Sequence, residues 1–215
     1  MAIASRPFRL GVLGSGQGSN FVAIADAITV GAVPAEVALV LSDVAEAGIL
    51  AHARSRGIPA SFLPSGAFRT RLDEKAERAA VAALQATGVD LVVLAGFMRV
   101  LKAEFLGTFA GRVINIHPSL LPAFPGRAAW KQALAYGVKV TGCTVHFVDA
   151  GVDSGPIIGQ RAVPVLAGDS VETLHQRIHA AEHALYPACV AALARGEVTV
   201  CGRVVSVAGG GPVVG

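Results

Sequence analysis

The run Asp90-Leu-Val-Val-Leu-Ala95 decides the fold. Its continuous apolar stretch, bounded by an acid and by Gly96, predicts a strand covered on both faces, because a half-buried strand would alternate with polar residues. The run empties into Gly96-Phe-Met-Arg-Val-Leu101, where an aromatic, a thioether and a guanidinium could line a flat pocket or could simply be core and surface. Toward the N-terminus, residues 69–86 have the spacing of an amphipathic helix, with Glu74, Lys75, Glu77 and Arg78 solvated. Before it lie a short strand at 58–62, a helix at 45–56, a strand at 36–42, a helix at 21–29 and a first strand at 8–13. Strands alternating with helices predict an α/β fold, an open, doubly wound, mostly parallel sheet with helices on both faces.

Between the first strand and first helix stands Gly14-Ser-Gly-Gln-Gly-Ser-Asn20. Backbone N–H groups in such a turn, added to the helix dipole, attract an anion. A dinucleotide fingerprint would need glycine where Ser19 stands, and there is no Gly-Lys-Ser/Thr. A monophosphate cradle of Gly18, Ser19 and Asn20 fits the residues, against the plainer reading of a tight strand-to-helix turn. Asp43 stands where a dinucleotide enzyme places its ribose acid, but Ser42-Asp43 reads more simply as the cap of the next helix.

Toward the C-terminus, within Arg112-Val-Ile-Asn-Ile-His-Pro-Ser-Leu-Leu-Pro122, Val113 to Ile116 reads as another buried parallel strand, ended by Pro118. Asn115 and His117 are two apart, so they face one side. A strand at 139–148 and one at 157–164 form an expected antiparallel pair, and the loop between them carries Asp153. An amide, an imidazole and a carboxylate at one sheet edge make an acyl-transfer set: an oxyanion donor, an acid or base, and a group to tune it. Singly, each has an ordinary reading; Asp153 also suits a turn. Residues 128–136 read as a helix. Ser170 caps a long one, with Thr173 where a capping box would want Glu, and Pro187 marks a kink or break before a second piece ending at Arg195.

Length and composition set the outer limits. The chain of 215 residues suits one core and carries a net charge of +3 with no Lys/Arg run of the nucleic-acid type. Mean hydropathy is +0.58, yet the apolar residues are dispersed among glycines and charges, without a membrane-spanning run. The N-terminal residues lead into the glycine-rich loop and not into a signal-peptide core. Cys143, Cys189 and Cys201 are odd in number and widely spaced, which suggests reduced, buried residues and no zinc site.

Asn115-Ile-His-Pro-Ser-Leu-Leu-Pro122, together with Val152-Asp-Ser-Gly-Pro156, resembles the signature of the folate-dependent formyltransferases, and the likeness runs from about residue 8 to 205. The resemblance implies a single formyltransferase domain over 1–207, followed by a flexible tail at 208–215. It implies transfer of the formyl group of 10-formyltetrahydrofolate to the amine of glycinamide ribonucleotide in de novo purine biosynthesis, by direct attack through a tetrahedral intermediate and with no metal. Asn115, His117 and Asp153 would be catalytic. Gly18, Ser19 and Asn20 would hold the nucleotide phosphate, and Glu182, within Ala181-Glu-His-Ala-Leu-Tyr-Pro187, its ribose. Arg71, Met98, Arg99, Val100, Leu101, Asp149, Ala150, Gly151 and Val152 would hold the folate, the 149–151 stretch through its backbone. The partners implied are small-molecule substrates, with no nucleic acid or membrane, for a cytoplasmic monomer or homodimer.

One departure is Ala128, where many members carry histidine. The alternatives are another formyl-folate enzyme, similar to the tRNA formyltransferases or the formyltetrahydrofolate hydrolases, and a nucleotide-binding domain without catalysis. The first two carry additional domains that 215 residues would not accommodate.

Overall fold

The computed structural model describes residues 6–210. The start of the N-terminal reading, residues 1–5, and the end of the expected tail, 211–215, lie outside them. Seven strands form one mostly parallel sheet in the order β3-β2-β1-β4-β5-β6-β7. They are β1 (Phe8–Leu13), β2 (Ala35–Ser42), β3 (Ala60–Phe62), β4 (Leu91–Leu94), β5 (Val113–His117), β6 (Val140–Phe147) and β7 (Ile157–Pro164). The described chain divides after Leu101 into two compact units.

In the first unit β1 pairs in parallel with β2 and β4, and β2 with β3. Every residue of β4 is buried, as its unbroken apolar run requires. Helices α1 (Ser19–Thr29) and α2 (Gly48–Ser55) pack on β2 through Ile24, Ile49 and Leu50 among others. The third helix, α3 (Glu74–Ala86), starts five residues later than the helical spacing suggests. Asp73 accepts from the Ala76 N–H at 2.8 Å and so starts the helix there. Arg71 is therefore not helical; it forms a parallel bridge with Val100.

In the second unit α4 (Ala103–Thr108), too short to show a periodic pattern, precedes β5. Strands β5 and β6, and β6 and β7, are antiparallel. Beyond α5 (Ala129–Tyr136) lies α6 (Val171–Ala194), 24 residues long and continuous through Pro187. Pro187 removes one backbone donor, but Leu185, Tyr186, Cys189 and Val190 around it are buried, and that packing overrides the local break. A capping box does form at Ser170: the Thr173 hydroxyl accepts from the Ser170 N–H at 2.9 Å, standing in for the expected Glu.

A hairpin of β8 (Val198–Cys201) and β9 (Val204–Val207) follows, turning at Gly202-Arg203. Ala208–Gly210 is a short 3-10 turn, so the tail expected from 208 is structured at its start.

Cys143 and Cys189 are buried, and burial pushes each thiol up to about 12. Cys201 is exposed on the hairpin, contrary to the uniform burial expected from the sequence. Thiolate reactivity requires access and deprotonation. A thiol reagent is accordingly expected to label Cys201 alone in the folded protein and all three cysteines after denaturation; fast labelling of Cys143 or Cys189 would contradict the packing.

Candidate active site

Strand β5 presents Asn115 and His117 from alternate pleat positions on one side, as the spacing predicts. Opposite them on β6 lie His146, paired with Asn115, and Thr144, paired with His117. From α6, the Tyr186 hydroxyl donates to the Ile114 carbonyl at 3.2 Å, fixing the strand one residue before Asn115. The turn after His117 is held by side chains of the neighbouring strands. Thr144 Oγ1 donates to Ser119 O at 2.7 Å and accepts from Leu121 N, while Gln160 Nε2 donates to Leu121 O at 2.9 Å.

The structure brings His117 and Asp153 together. Nδ1 of the imidazole lies 3.2 Å from Asp153 Oδ2, and Nε2 lies 2.9 Å from the Phe124 carbonyl oxygen. Both ring nitrogens face acceptors, an arrangement that a doubly protonated imidazole satisfies on both sides. Asp153 Oδ2 also accepts from Gly126 N at 2.7 Å, which ties the loop after Pro122 to the carboxylate. Asp153 has φ 51, a left-handed conformation that Asp tolerates better than most residues. The next turn requires glycine, because a Cβ on Gly155 would overlap the Phe147 carbonyl oxygen. From the hairpin, Arg203 Nη2 donates to Ser154 O at 2.8 Å.

His146 is the site residue that sequence reading passed over. Its Nδ1 lies 2.8 Å from Phe147 O and so carries the proton, which leaves Nε2 as an acceptor for the Asn115 amide at 3.3 Å. Burial, the largest influence on it, lowers its pKa and keeps the ring neutral, consistent with that tautomer. The 3.7 Å approach of Nε2 to Asp153 Oδ1 is then not an ion pair. His146 fixes the orientation of Asn115, leaving the second amide N–H for another acceptor. Only the cross-strand register reveals this partnership; the nearest signal in the sequence is a polar residue inside an apolar strand. His146→Leu is expected to lower kcat about tenfold with little change in melting temperature, the scale of one lost hydrogen bond; an unchanged kcat would remove His146 from the site.

Among residues expected to contact folate in this unit, Val152 is exposed. Asp149 Oδ1 accepts from Ser154 Oγ at 2.6 Å and Gly151 N at 3.0 Å, so this carboxylate oxygen is engaged inside the loop that carries Ala150. Glu182, which the resemblance assigns to the ribose, is buried. It lies on α6 beside His179, with Nε2 to Oε2 at 4.0 Å.

His175, His179 and His183 recur at every fourth position of α6, and Trp130 of α5 stacks on His175 at 3.8 Å. Burial first, then the charges of His175 and His183, push His179 down to about 4, so its contact with Glu182 is not an ion pair near neutral pH. An unfolded histidine titrates near about 6.5. As pH falls between these values the unfolded chain takes up the proton and the folded one does not, so this contribution to stability is full above the upper value and lost toward the lower. Melting temperature should therefore fall from pH 6.5 to 4, and His179→Gln should flatten that slope; an equal slope in the variant would assign it elsewhere.

In the first unit the glycine-rich turn is built as the sequence suggests. Gly18 caps α1 at φ 82, and a Cβ there would stand 2.7 Å from the Ile49 side chain, so glycine is required. Ser19 and Asn20 form the first turn of α1. Met98 and Val100 are exposed and Leu101 is buried. Arg71 lies over the Phe68 ring at 3.7 Å.

Asp43 is not the cap of α2. That helix begins at Gly48 behind Ala47, without a side-chain cap, and Asp43 is instead buried against Arg99, with Oδ2 to Nε at 2.6 Å. Arg99 Nη1 also donates to Phe68 O at 2.6 Å, so this guanidinium is engaged by protein groups. The described residues contain no group of three or more His, Cys, Asp or Glu arranged to hold a metal ion, and no helix long and apolar enough to cross a membrane.

A carboxylate-held imidazole beside a positioned amide is a set of groups suited to acyl transfer. Residues 8–190 match the family model described as formyl transferase, and the chain belongs to that family. A phosphoribosylglycinamide formyltransferase of Mycobacterium tuberculosis is 50% identical over 205 residues, covering 93% of this chain and 91% of that protein. Another from Bacillus subtilis is 43% identical over 185 residues, covering 85% of this chain and 92% of the relative. The crystal structure of glycinamide ribonucleotide transformylase 1 from Symbiobacterium toebii superposes with a TM-score of 0.91 at 49% identity, covering 96% and 97% of the two chains.

Proposed function

We propose that this formyltransferase moves the formyl group of 10-formyltetrahydrofolate onto the amine of glycinamide ribonucleotide in de novo purine biosynthesis, with Asn115, His117 and Asp153 performing the chemistry. The observation that carries the reading is the 3.2 Å approach of Asp153 to His117 next to the oriented Asn115, in a chain of formyl-transfer family. A bond forms between the amine nitrogen and the formyl carbon, the bond from that carbon to the folate nitrogen breaks, and one proton passes from the amine to the folate nitrogen, directly or through water. Negative charge rises on the formyl oxygen in between. The second N–H of Asn115 meets it. His117 Nε2 meets it too, since a developing oxyanion is a stronger acceptor than the neutral Phe124 carbonyl. Asp153 holds the imidazole by Nδ1 and balances its positive charge.

In the first unit the exposed apolar side chains of Met98 and Val100, with Leu101, suit a flat heteroaromatic donor; in the second, Val152 and the backbone of 149–151 would offer donor contacts of their own. Arg99 and Asp149 have committed side chains and would contribute backbone groups. Arg71, stacked on Phe68, would take a carboxylate of the donor. The N–H groups of Gly18, Ser19 and Asn20, together with the polar side chains of Ser19 and Asn20, would hold the phosphate at the start of α1. Glu182 would accept from the ribose hydroxyls.

Residues 1–207 would work as one formyltransferase domain, in a cytoplasmic monomer or homodimer acting on small molecules and not on nucleic acid. The modest charge of +3 supports the last point. Incubation with formyl-folate and glycinamide ribonucleotide should release tetrahydrofolate, followed by absorbance, and initiator tRNA should not replace the ribonucleotide. Release of formate without the amine, or formylation of the tRNA, would overturn the reading.

A further inference from the structure

Two loops of the first unit meet at one buried carboxylate, and a third joins them through Arg99. Asp43, at the carboxyl end of β2, has a side chain only 2% exposed. Its Oδ1 accepts from the Ser15 hydroxyl at 2.5 Å and its Oδ2 from Arg99 Nε at 2.6 Å. Ser15 belongs to the glycine-rich turn. Because its single O–H is given to Asp43, its oxygen is turned to accept, and it accepts from Met98 N at 2.9 Å; Ser15 N in turn donates to Gly96 O at 3.1 Å. Arg99 extends the network to a third loop through Phe68 O, and Val100 N donates to Thr70 O at 2.9 Å beside the Arg71 bridge.

We propose that Asp43 is a positioning residue for formyl transfer: its carboxylate holds the phosphate-binding turn and the formyl-donor loop in one register, so that both binding sites are shaped together. The inference rests on the placement of phosphate at 18–20 and donor at 98–101 under the proposed function. The chemistry favours a carboxylate at this point. Its two oxygens accept a hydroxyl and a guanidinium at once, as charge-assisted bonds, and a buried charge pair broken on one side leaves the other charge uncompensated. Asparagine keeps an oxygen for Ser15 but sets an NH₂ group against Arg99 Nε. Asp43→Asn therefore cuts the donor-loop arm, and Ser15→Ala cuts the arm to the phosphate turn.

The test is steady-state kinetics of the full-length enzyme with both substrates varied, alongside thermal melts. Asp43→Asn is expected to raise the KM for the formyl donor about tenfold, the scale of a lost hydrogen bond to a charged group, with kcat within about threefold. Ser15→Ala, which removes only one hydroxyl, should raise both KM values, and Asp43→Glu should recover less than half of the loss, because the longer carboxylate misplaces both loops. A lower melting temperature with unchanged KM values in both variants would reduce Asp43 to a structural residue and overturn the proposal. If Asp43→Asn fails to fold, Ser15→Ala decides by the same criterion. Asn20→Ala and Met98→Ala separate the two layers of the argument. If these leave both KM values at the wild-type level, the site placement itself fails; if they respond while the Asp43 and Ser15 variants do not, only the coupling fails.

Discussion

His117→Ala and Asp153→Asn are each expected to lower kcat by about 10²–10³, with KM for both substrates close to wild type, because both groups act on charge present only in the transition state. Asparagine at 153 keeps the shape of the side chain but not its charge. Either its NH₂ would confront the Gly126 N–H and His117 Nδ1, or its oxygen would face them without the charge that balances an imidazolium. The two residues act through one ring, so the double variant should be little worse than the poorer single one. Initial rates under saturating and limiting substrate check this. Losses confined to KM, or full additivity of the two substitutions, would detach the pair from the chemical step.

Asn115→Ala is the second large effect, a fall in kcat of about 10²–10³, the scale of one oxyanion donor removed. The strand itself should survive, because the backbone pairing of Asn115 with His146 does not depend on the side chain. Melting temperature should therefore move little while turnover collapses. Asn115→Asp should be at least as damaging, since it sets a carboxylate where negative charge must develop. A kcat for Asn115→Ala within about threefold of wild type would show that His117 bears the charge alone.

Much of the architecture could be read in residue order. The apolar run at 91–94, the alternation of helix and strand before it, and the glycine that caps α1 are local features, and each formed in the expected order, with α2 and α3 starting three and five residues late. The helix start at Asp73 could also have been read, since Asp is a cap residue and the position precedes an Ala-rich segment. The hairpin at 198–207 had a signal as well: β-branched runs on either side of Gly202-Arg203. Arg71, expected inside a helix, lies in a bridge instead, and the burial of Glu182 is not legible from its position on a helix.

By itself the sequence determined the strand-forming and helix-forming segments, the glycine at the start of α1, and the identity and spacing of the amide, imidazole and carboxylate, because backbone propensity, side-chain period and functional groups are local properties. Tertiary structure alone decided who faces whom. His146 is the partner of Asn115 because of the register between β5 and β6, and Asp43 is an anchor for Arg99, 56 residues away, and not a helix cap. The same holds for the unbroken α6 through Pro187 and for the exposure of Cys201. Burial and cross-strand register arise from how the elements pack, and those determine which polar groups find partners, so no window of neighbouring residues contains them.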